Sequence, residues 1–223
     1  MRPELIVFDL DGTLVDSAPD LAYCIDATLE SLGLPPCGHE QVRRYLGNGA
    51  ERFVKRALTG EMWQEPEPAL YEAALARFLN LYGESNGNHT NVYPGVHEAL
   101  RRLQSVGISL CVLTNKKRLF TEPLLKAKGL QDFFGFCICG DDLATQKPDP
   151  GPLLHAMRRF EVSPSATWMI GDSATDVATA RAAGVKILAV SYGYNHGRDI
   201  REAKPDGIVD SLLQICTILH LAA

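Results

Sequence analysis

The chain has 223 residues, 46% of them hydrophobic and 22% charged, with a net charge of −5. That composition is ordinary for a globular protein and leaves enough chain for one large core or a core with an inserted subdomain. The acidic balance without a basic stripe argues against a nucleic-acid binder, and the strand-sized apolar runs argue against a membrane span.

The first apolar run, Leu5–Phe8, reads as a buried strand. It stops at Asp9-Leu10-Asp11-Gly12-Thr13. Side chains alternate along a strand, so Asp9 and Asp11 share a face. Two carboxylates held together are costly unless a cation sits between them. The pattern therefore points to a cation site and to a carboxylate able to attack an electrophile. A polar turn after a strand is the plain alternative.

No good strand is expected from Ser17 to Asn88. Leu21, Ile25, Leu29 and Leu32 recur at helical spacing, as do Val42, Leu46, Phe53 and Ala57 around Gly47-Asn48-Gly49, and later Leu70, Ala74, Phe78 and Tyr82. Residues 17–88 are accordingly expected to form an all-helical insertion, with 1–16 and 89–223 as an α/β core and the polar stretch Gly83–Asn91 as a hinge. Past the hinge, apolar runs at 108–113, 136–139, 167–170, 186–190 and 207–209 alternate with helix-like segments at 96–105, 120–128, 152–160, 174–183 and 200–203. That alternation implies βαβ units and a parallel sheet. Ligands of such sheets bind beyond the carboxyl ends of the strands. An insertion after the first strand would sit over that site as a lid.

Two further strand ends and one stiff loop carry polar groups. Val112-Leu113-Thr114-Asn115-Lys116 ends in a hydroxyl and an amide that suit a phosphate oxygen. Lys147 precedes a proline in Thr145–Pro150, a stiff setting for a fixed charge. Met169-Ile170-Gly171-Asp172 is followed by Asp176, in the first turn of a helix that starts near Ser173 or Ala174. Structural turns, a solvated lysine and ordinary capping are the plain readings of each alone. Taken together, four ionised aspartates carry roughly −4 and a phosphate adds roughly −1.5 to −2, against one positive charge on Lys147. A divalent cation relieves that imbalance, and an all-oxygen ligand set favours Mg2+. A protonated Asp11 would relieve it further and serve as a general acid.

D-L-D-G-T, the strand-end Thr114, Lys147 and G-D-S-x-x-D, in this order, resemble the haloacid dehalogenase superfamily, in its phosphatase branch. The resemblance implies a doubly wound, mainly parallel α/β sheet with an inserted helical C1 cap. It implies that Asp9 is the nucleophile, forming an aspartyl phosphate, and that Asp11 is the general acid and base. Asp9, the Asp11 carbonyl and Asp172 would hold Mg2+, with Asp176 supporting the metal shell or Lys147. Thr114, Asn115 and Lys147 would hold the phosphoryl group, beside Gly12 and Thr13. The second acid distinguishes the chain from the dehalogenases. The lack of a lysine between Asp16 and Arg43 separates it from the phosphonate-cleaving branch.

Within the phosphatases, D-S-A-P-D-L at 16–21, L-G-N-G-A at 46–50, V-L-T-N-K at 112–116, G-D-D at 140–142, K-P-D-P at 147–150 and Y-G-Y-N-H-G at 192–197 resemble the bacterial members that cleave 2-phosphoglycolate. The stretch between Gly60 and Pro66 is short for that group. Gly47-Asn48-Gly49 opens a helix carrying Arg52, and the expectation is that this helix N-terminus at Asn48, with Arg52 or Lys116, meets the carboxylate of the substrate. His196 is a further candidate donor, with solvation as its plain reading. Other small phosphoesters, a phosphomutase and a non-catalytic binding module remain alternatives. The expected partner is a small phosphorylated metabolite, with neither nucleic acid nor membrane, in a monomer or small homo-oligomer.

The cysteines are Cys24, Cys37, Cys111, Cys137, Cys139 and Cys216. None lies at zinc-like spacing, so reduced thiols in a cytoplasmic protein are expected. The direct run into the first strand leaves no signal peptide to be expected. Cys137 and Cys139 are expected on opposite faces of their strand.

Overall fold

Strand β1 (Leu5–Phe8) is buried along its whole length, because the sheet it belongs to is covered on both faces. The computed structural model describes residues 2–221. β1 pairs in parallel with β4 (Ser109–Leu113) on one side and with β6 (Thr167–Gly171) on the other. β5 (Phe136–Ile138) extends the sheet beyond β4, and β7 (Lys186–Val190) and β8 (Gly207–Val209) extend it beyond β6. The order is β5-β4-β1-β6-β7-β8, all parallel. β1 is therefore the point where the chain turns from building one half of the sheet to building the other, and the crevice at its carboxyl end is where such sheets bind ligands.

The alternation along β1 divides the core. Ile6 and Phe8 pack with α5 (Val96–Ser105) and α6 (Arg118–Ala127). Leu5 and Val7 pack with α7 (Gly151–Phe160) and α8 (Ala174–Ala182). The helices α1 (Ala18–Ser31), α2 (His39–Tyr45), α3 (Gly49–Thr59) and α4 (Pro68–Ser85) surround a third apolar cluster built on Ile25, Leu29, Phe53, Ala74 and Phe78. Phe120 of α6 and Tyr194 of the loop after β7 join that cluster from the sheet side. Among the described residues no helix is long and apolar enough to cross a membrane.

Several expectations change. The expected helix at 200–203 is a single 3-10 turn, and α6 begins at Arg118 rather than near Phe120. A two-stranded antiparallel ribbon, β2 (Val15–Asp16) with β3 (Asn91–Val92), joins the two ends of the helical stretch. A 3-10 turn at Leu212–Gln214 leads into α9 (Ile215–Ile218), whose Ile215 completes the first core cluster. Cys137 and Cys139 do not point apart. Alternation has a period of two, so residues i and i+2 share a face, and their Sγ atoms lie 3.8 Å from each other.

Candidate active site

Asp9 follows the last residue of β1 and is 8% exposed at the floor of a cavity roofed by the helical stretch. Its Oδ1 accepts from the Leu10 N–H at 2.7 Å and lies 2.7 Å from Lys147 Nζ. Its other oxygen has no protein donor among the described residues. Lys147 Nζ also donates to Asp176 Oδ1 at 2.7 Å. Lys147 and Asp176 are both buried, so this is a desolvated carboxylate–lysine–carboxylate chain rather than a surface pair.

Asp176 reached this position as a helix cap. Ser173 Oγ accepts from the Asp176 N–H, while Asp176 Oδ2 accepts from Ser173 N at 3.1 Å, Ser173 Oγ at 2.6 Å and Asp172 N at 3.2 Å. One carboxylate oxygen thus closes the start of α8 and the other holds Lys147. The Asp9, Asp172 and Asp176 carboxylates lie within 4.8 Å of one another. The hydrogen bonds leave Asp9 and Asp172 as the pair able to face a cation, with Asp176 as their support.

Asp172 ends β6. Its Oδ2 accepts from Tyr194 N at 2.7 Å, and Thr13 Oγ1 donates to its Oδ1 at 3.4 Å. Gly12 and Gly193 press against the same carboxylate. A Cβ on Gly12, whose φ is +89°, would stand 2.3 Å from Asp172 Oδ2, so a side chain there would fill the space around the carboxylate.

The electrostatics are unbalanced. Burial, then Asp176, pushes Asp172 up to about 7. Burial also raises Asp9 well above the usual carboxylate range, against the pull of Lys147. Burial pulls Lys147 down, but Asp176 and Asp9 outweigh it and the ammonium is held charged. Three buried carboxylates thus face one lysine, and the excess negative charge falls where Asp9 and Asp172 converge. A hard divalent cation with oxygen ligands fits that donor set.

A second cation faces the same cavity. Lys116 Nζ lies 3.2 Å from Asp11 Oδ1, donates to the Tyr82 hydroxyl, and sits 4.8 Å from the centroid of the Tyr82 ring. Its side chain is only 8% exposed. Burial pulls Lys116 down, and Asp11 with Tyr82 more than restores it. Tyr82, Phe120, Phe53 and Leu21 supply an apolar wall around this second charge.

Asp9, Asp11, Thr114, Asn115, Lys116 and Asp172, from the ends of β1, β4 and β6, and Lys147, from the loop between β5 and α7, line one cavity together with Asn48 and His196. Arg52, Gly12 and Thr13 lie off that cavity, while Asn115, Asn48 and His196, which line it, are also bonded to other parts of the chain. Arg52 is directed away from the cavity, with its guanidinium 3.0 Å from Glu65 and over the Trp63 ring at 5.5 Å. The rotation of α3 buries Phe53 and carries Arg52 to the far side. Gly12 and Thr13 stand behind Asp172 rather than on the cavity wall. The Asn115 amide is committed to the Lys147 backbone, donating to its carbonyl at 2.9 Å and accepting from its N–H at 3.0 Å. Asn115 thus ties the loop after β4 to the loop that carries Lys147. Asn48 Oδ1 accepts from the buried Arg56 at 2.8 Å and pins the Gly47–Gly49 turn. His196 Nδ1 lies 3.0 Å from the Arg44 carbonyl, and burial keeps its imidazole below the usual histidine value.

The sequence reading missed Tyr82, Phe120 and Tyr194. Tyr82 and Phe120 fall in helical segments, where an aromatic reads as core, and Tyr194 lies in the stretch 192–197 with no role legible of its own. The Tyr194 hydroxyl accepts from Ser17 N at 2.8 Å and Ala18 N at 3.0 Å and donates to Asp16 at 2.8 Å, so it caps α1 from the opposite half of the sheet.

The haloacid dehalogenase-like hydrolase family matches residues 6–190. A phosphoglycolate phosphatase of Nitrosococcus oceani is 49% identical over 222 residues, spanning 100% of this chain and 99% of the relative. One of Thiobacillus denitrificans is 46% identical, spanning 97% and 96%. The crystal structure of a predicted phosphoglycolate phosphatase from Haemophilus somnus superposes with a TM-score of 0.92 at 34% identity, covering 98% of each chain. The chain belongs to the haloacid dehalogenase-like hydrolases, in their phosphatase branch.

Proposed function

We propose that the chain hydrolyses 2-phosphoglycolate to glycolate and inorganic phosphate, with Mg2+ held by Asp9, the Asp11 carbonyl and Asp172. The observation that carries this reading is the presence of two buried lysines in one small cavity, Lys147 on Asp9 and Lys116 on Asp11. A substrate bearing one phosphate and one carboxylate a few bonds apart matches that pair of charges. The names of the full-length relatives agree with it.

When bound, Mg2+ offsets the charge of the carboxylates and of the phosphoryl oxygens. The Asp9 oxygen without a protein donor attacks phosphorus, and the bond from phosphorus to the glycolate oxygen breaks as the aspartyl phosphate forms. Asp11 gives its proton to the departing oxygen. It then takes a proton from the water that attacks the aspartyl phosphate, releasing phosphate and restoring Asp9. Lys147, fixed by Asp176, stabilises the charge that develops on the transferring group. Thr114 stands at the strand end beside it. Its Oγ1 accepts from Lys116 N at 3.1 Å, which shapes the turn. Lys116, 3.2 Å from Asp11 in the free site, turns to pair with the substrate carboxylate. The helical residues 17–88 act as a lid over residues 1–16 and 89–223, excluding bulk water from the intermediate.

The test is phosphate release from a panel of small phosphoesters, with Mg2+ or with EDTA. A strong preference for 2-phosphoglycolate, lost in EDTA, supports the reading. Asp9→Asn should lower kcat by about 10^4-fold or more, as loss of a nucleophile does. Mg2+-dependent release that favours another phosphoester would reassign the substrate and leave the chemistry standing.

A further inference from the structure

β5 is an edge strand, and Cys137 and Cys139 at its end have no part in the phosphoester chemistry. Their Sγ atoms are 3.8 Å apart on one face. Cys137 is half-buried and lines a surface groove between α6 and α7, while Cys139 is buried beside it. Arg118 donates to Cys137 Sγ at 3.6 Å and to the Cys137 carbonyl at 3.1 Å. A thiol beside a guanidinium is the more readily ionised, and the thiolate is the nucleophile. The hydrogen bond from Cys139, followed by the Arg118 charge, brings Cys137 down to about 7 in spite of its burial. Burial instead pushes Cys24 and Cys37 up to about 11, and it raises Cys111 and Cys216 as well.

We propose that Cys137 and Cys139 are a hydroperoxide-oxidisable pair whose closure into a disulfide displaces the Thr114–Lys116 turn and slows the phosphatase. The Cys137 thiolate attacks the peroxide O–O bond, keeps one oxygen as sulfenic acid and releases the other as alkoxide, which takes a proton. The Cys139 sulfur then attacks Cys137. The Cys139 proton and the hydroxyl leave as water. In sum, two thiols and one hydroperoxide give one disulfide, one alcohol and one water.

The structural coupling comes from the strand. Residues two apart on an extended strand have Cα atoms about 6.6 Å apart, near the upper end of the disulfide range. Closure therefore contracts the chain around Ile138. The Ile138 carbonyl accepts from Thr114 N at 3.0 Å, and Gly140 N donates to the Lys116 carbonyl at 2.9 Å. The contraction passes through these two bonds into the turn that carries Thr114, Asn115 and Lys116.

The protein is treated with hydrogen peroxide. Thiols are counted after denaturation, crosslinks are mapped by peptide mass spectrometry, and phosphate release from an aryl phosphate is measured. The thiol count should fall by two, from six to four, with a Cys137–Cys139 link. Activity should fall about tenfold or more, in line with the cost of sub-ångström misplacement. Dithiothreitol should restore both. Cys137→Ser should have normal basal activity and keep it under peroxide. Cys139→Ser should stop at a dimedone-reactive sulfenic acid on Cys137. Oxidation of other cysteines while this pair stays reduced overturns the proposal, as does a link that leaves activity unchanged or equal inactivation of Cys137→Ser. The thiol count does not depend on the substrate, so failure of the phosphoglycolate assignment would be seen separately.

Discussion

At the scale of single residues, two basic side chains near the cavity make opposite predictions. Lys116 is buried in it beside Asp11, while Arg52 is turned onto Glu65 and Trp63 outside it. A charged hydrogen bond is worth about 1.5–3 kcal/mol, or roughly 10- to 100-fold in a ratio of rates. Lys116→Met should therefore lower kcat/KM for 2-phosphoglycolate about 10- to 100-fold more than for an uncharged aryl phosphate. Arg52→Ala should leave that ratio within about twofold, since a half-exposed pair with Glu65 contributes little. Comparing the two substrates cancels any common effect of Lys116 on Asp11. Equal losses on both substrates for Lys116→Met would remove it as the carboxylate partner. A large ratio change for Arg52→Ala would mean that α3 rotates when substrate binds.

At the scale of elements, one buried acid ties the start of the helical stretch to its end. Asp20, in the first turn of α1 and fully buried, accepts from Gly87 N at 2.9 Å, His89 N at 2.7 Å and Thr90 N at 2.9 Å, and from the Thr90 hydroxyl. The α1 start is thus fastened to the return segment that leads into β3. Asp20→Ala leaves those N–H groups buried without acceptors and should cost about 2–3 kcal/mol in urea unfolding. Amide exchange should quicken first at residues 86–91, and unchanged protection there would show that β2 and β3 alone hold the junction. Asp20 also marks the limit of what the sequence reveals. Its motif, D-S-A-P-D-L, was legible, but the role of its last acid depends on chain about 70 residues further on. The sheet strands and the helices were legible because apolar runs and helical spacing are local signals. The two-residue strands β2 and β3 are too short to have a period. Asp9, Asp11 and Asp172 could be read from strand ends and Lys147 from its place before a proline, whereas the amide of Asn115 faces Lys147 only because two loops meet in space. The side of α3 on which Arg52 lies was not legible, because spacing places a residue on a helix without fixing which way the helix turns.

At the scale of the whole molecule, the excess of buried acid makes stability depend on pH and on a cation together. Asp172 stands at about 7 in the folded chain, against roughly 3.9 when unfolded. Between those values the folded protein keeps a proton that the unfolded chain has released. It therefore binds more protons, and stability falls as pH rises through that window. Asp9 is shifted in the same direction. In EDTA, Tm should accordingly decline from pH 5 to pH 8. A divalent cation replaces those protons, so its affinity rises with pH and its binding stabilises the folded state by mass action. With saturating Mg2+ the decline should flatten. The gap between the two curves should widen to several degrees at pH 8, each kcal/mol being worth about 2–4 °C in a chain of this size. Asp172→Asn separates the charge from the packing. Its amide oxygen can still accept from Tyr194 N, the bond that Asp172 makes at 2.7 Å, but it can neither ionise nor hold the cation as a carboxylate does. The variant should melt above the wild type in EDTA at pH 8 and lose most of the Mg2+ shift. If wild type and variant instead melted together in EDTA across this range, the buried acids would not be opposing one another, and the electrostatic case for a cation between Asp9 and Asp172 would fail. The two curves thus probe the charge balance without any substrate present, independently of whichever phosphoester the cavity selects.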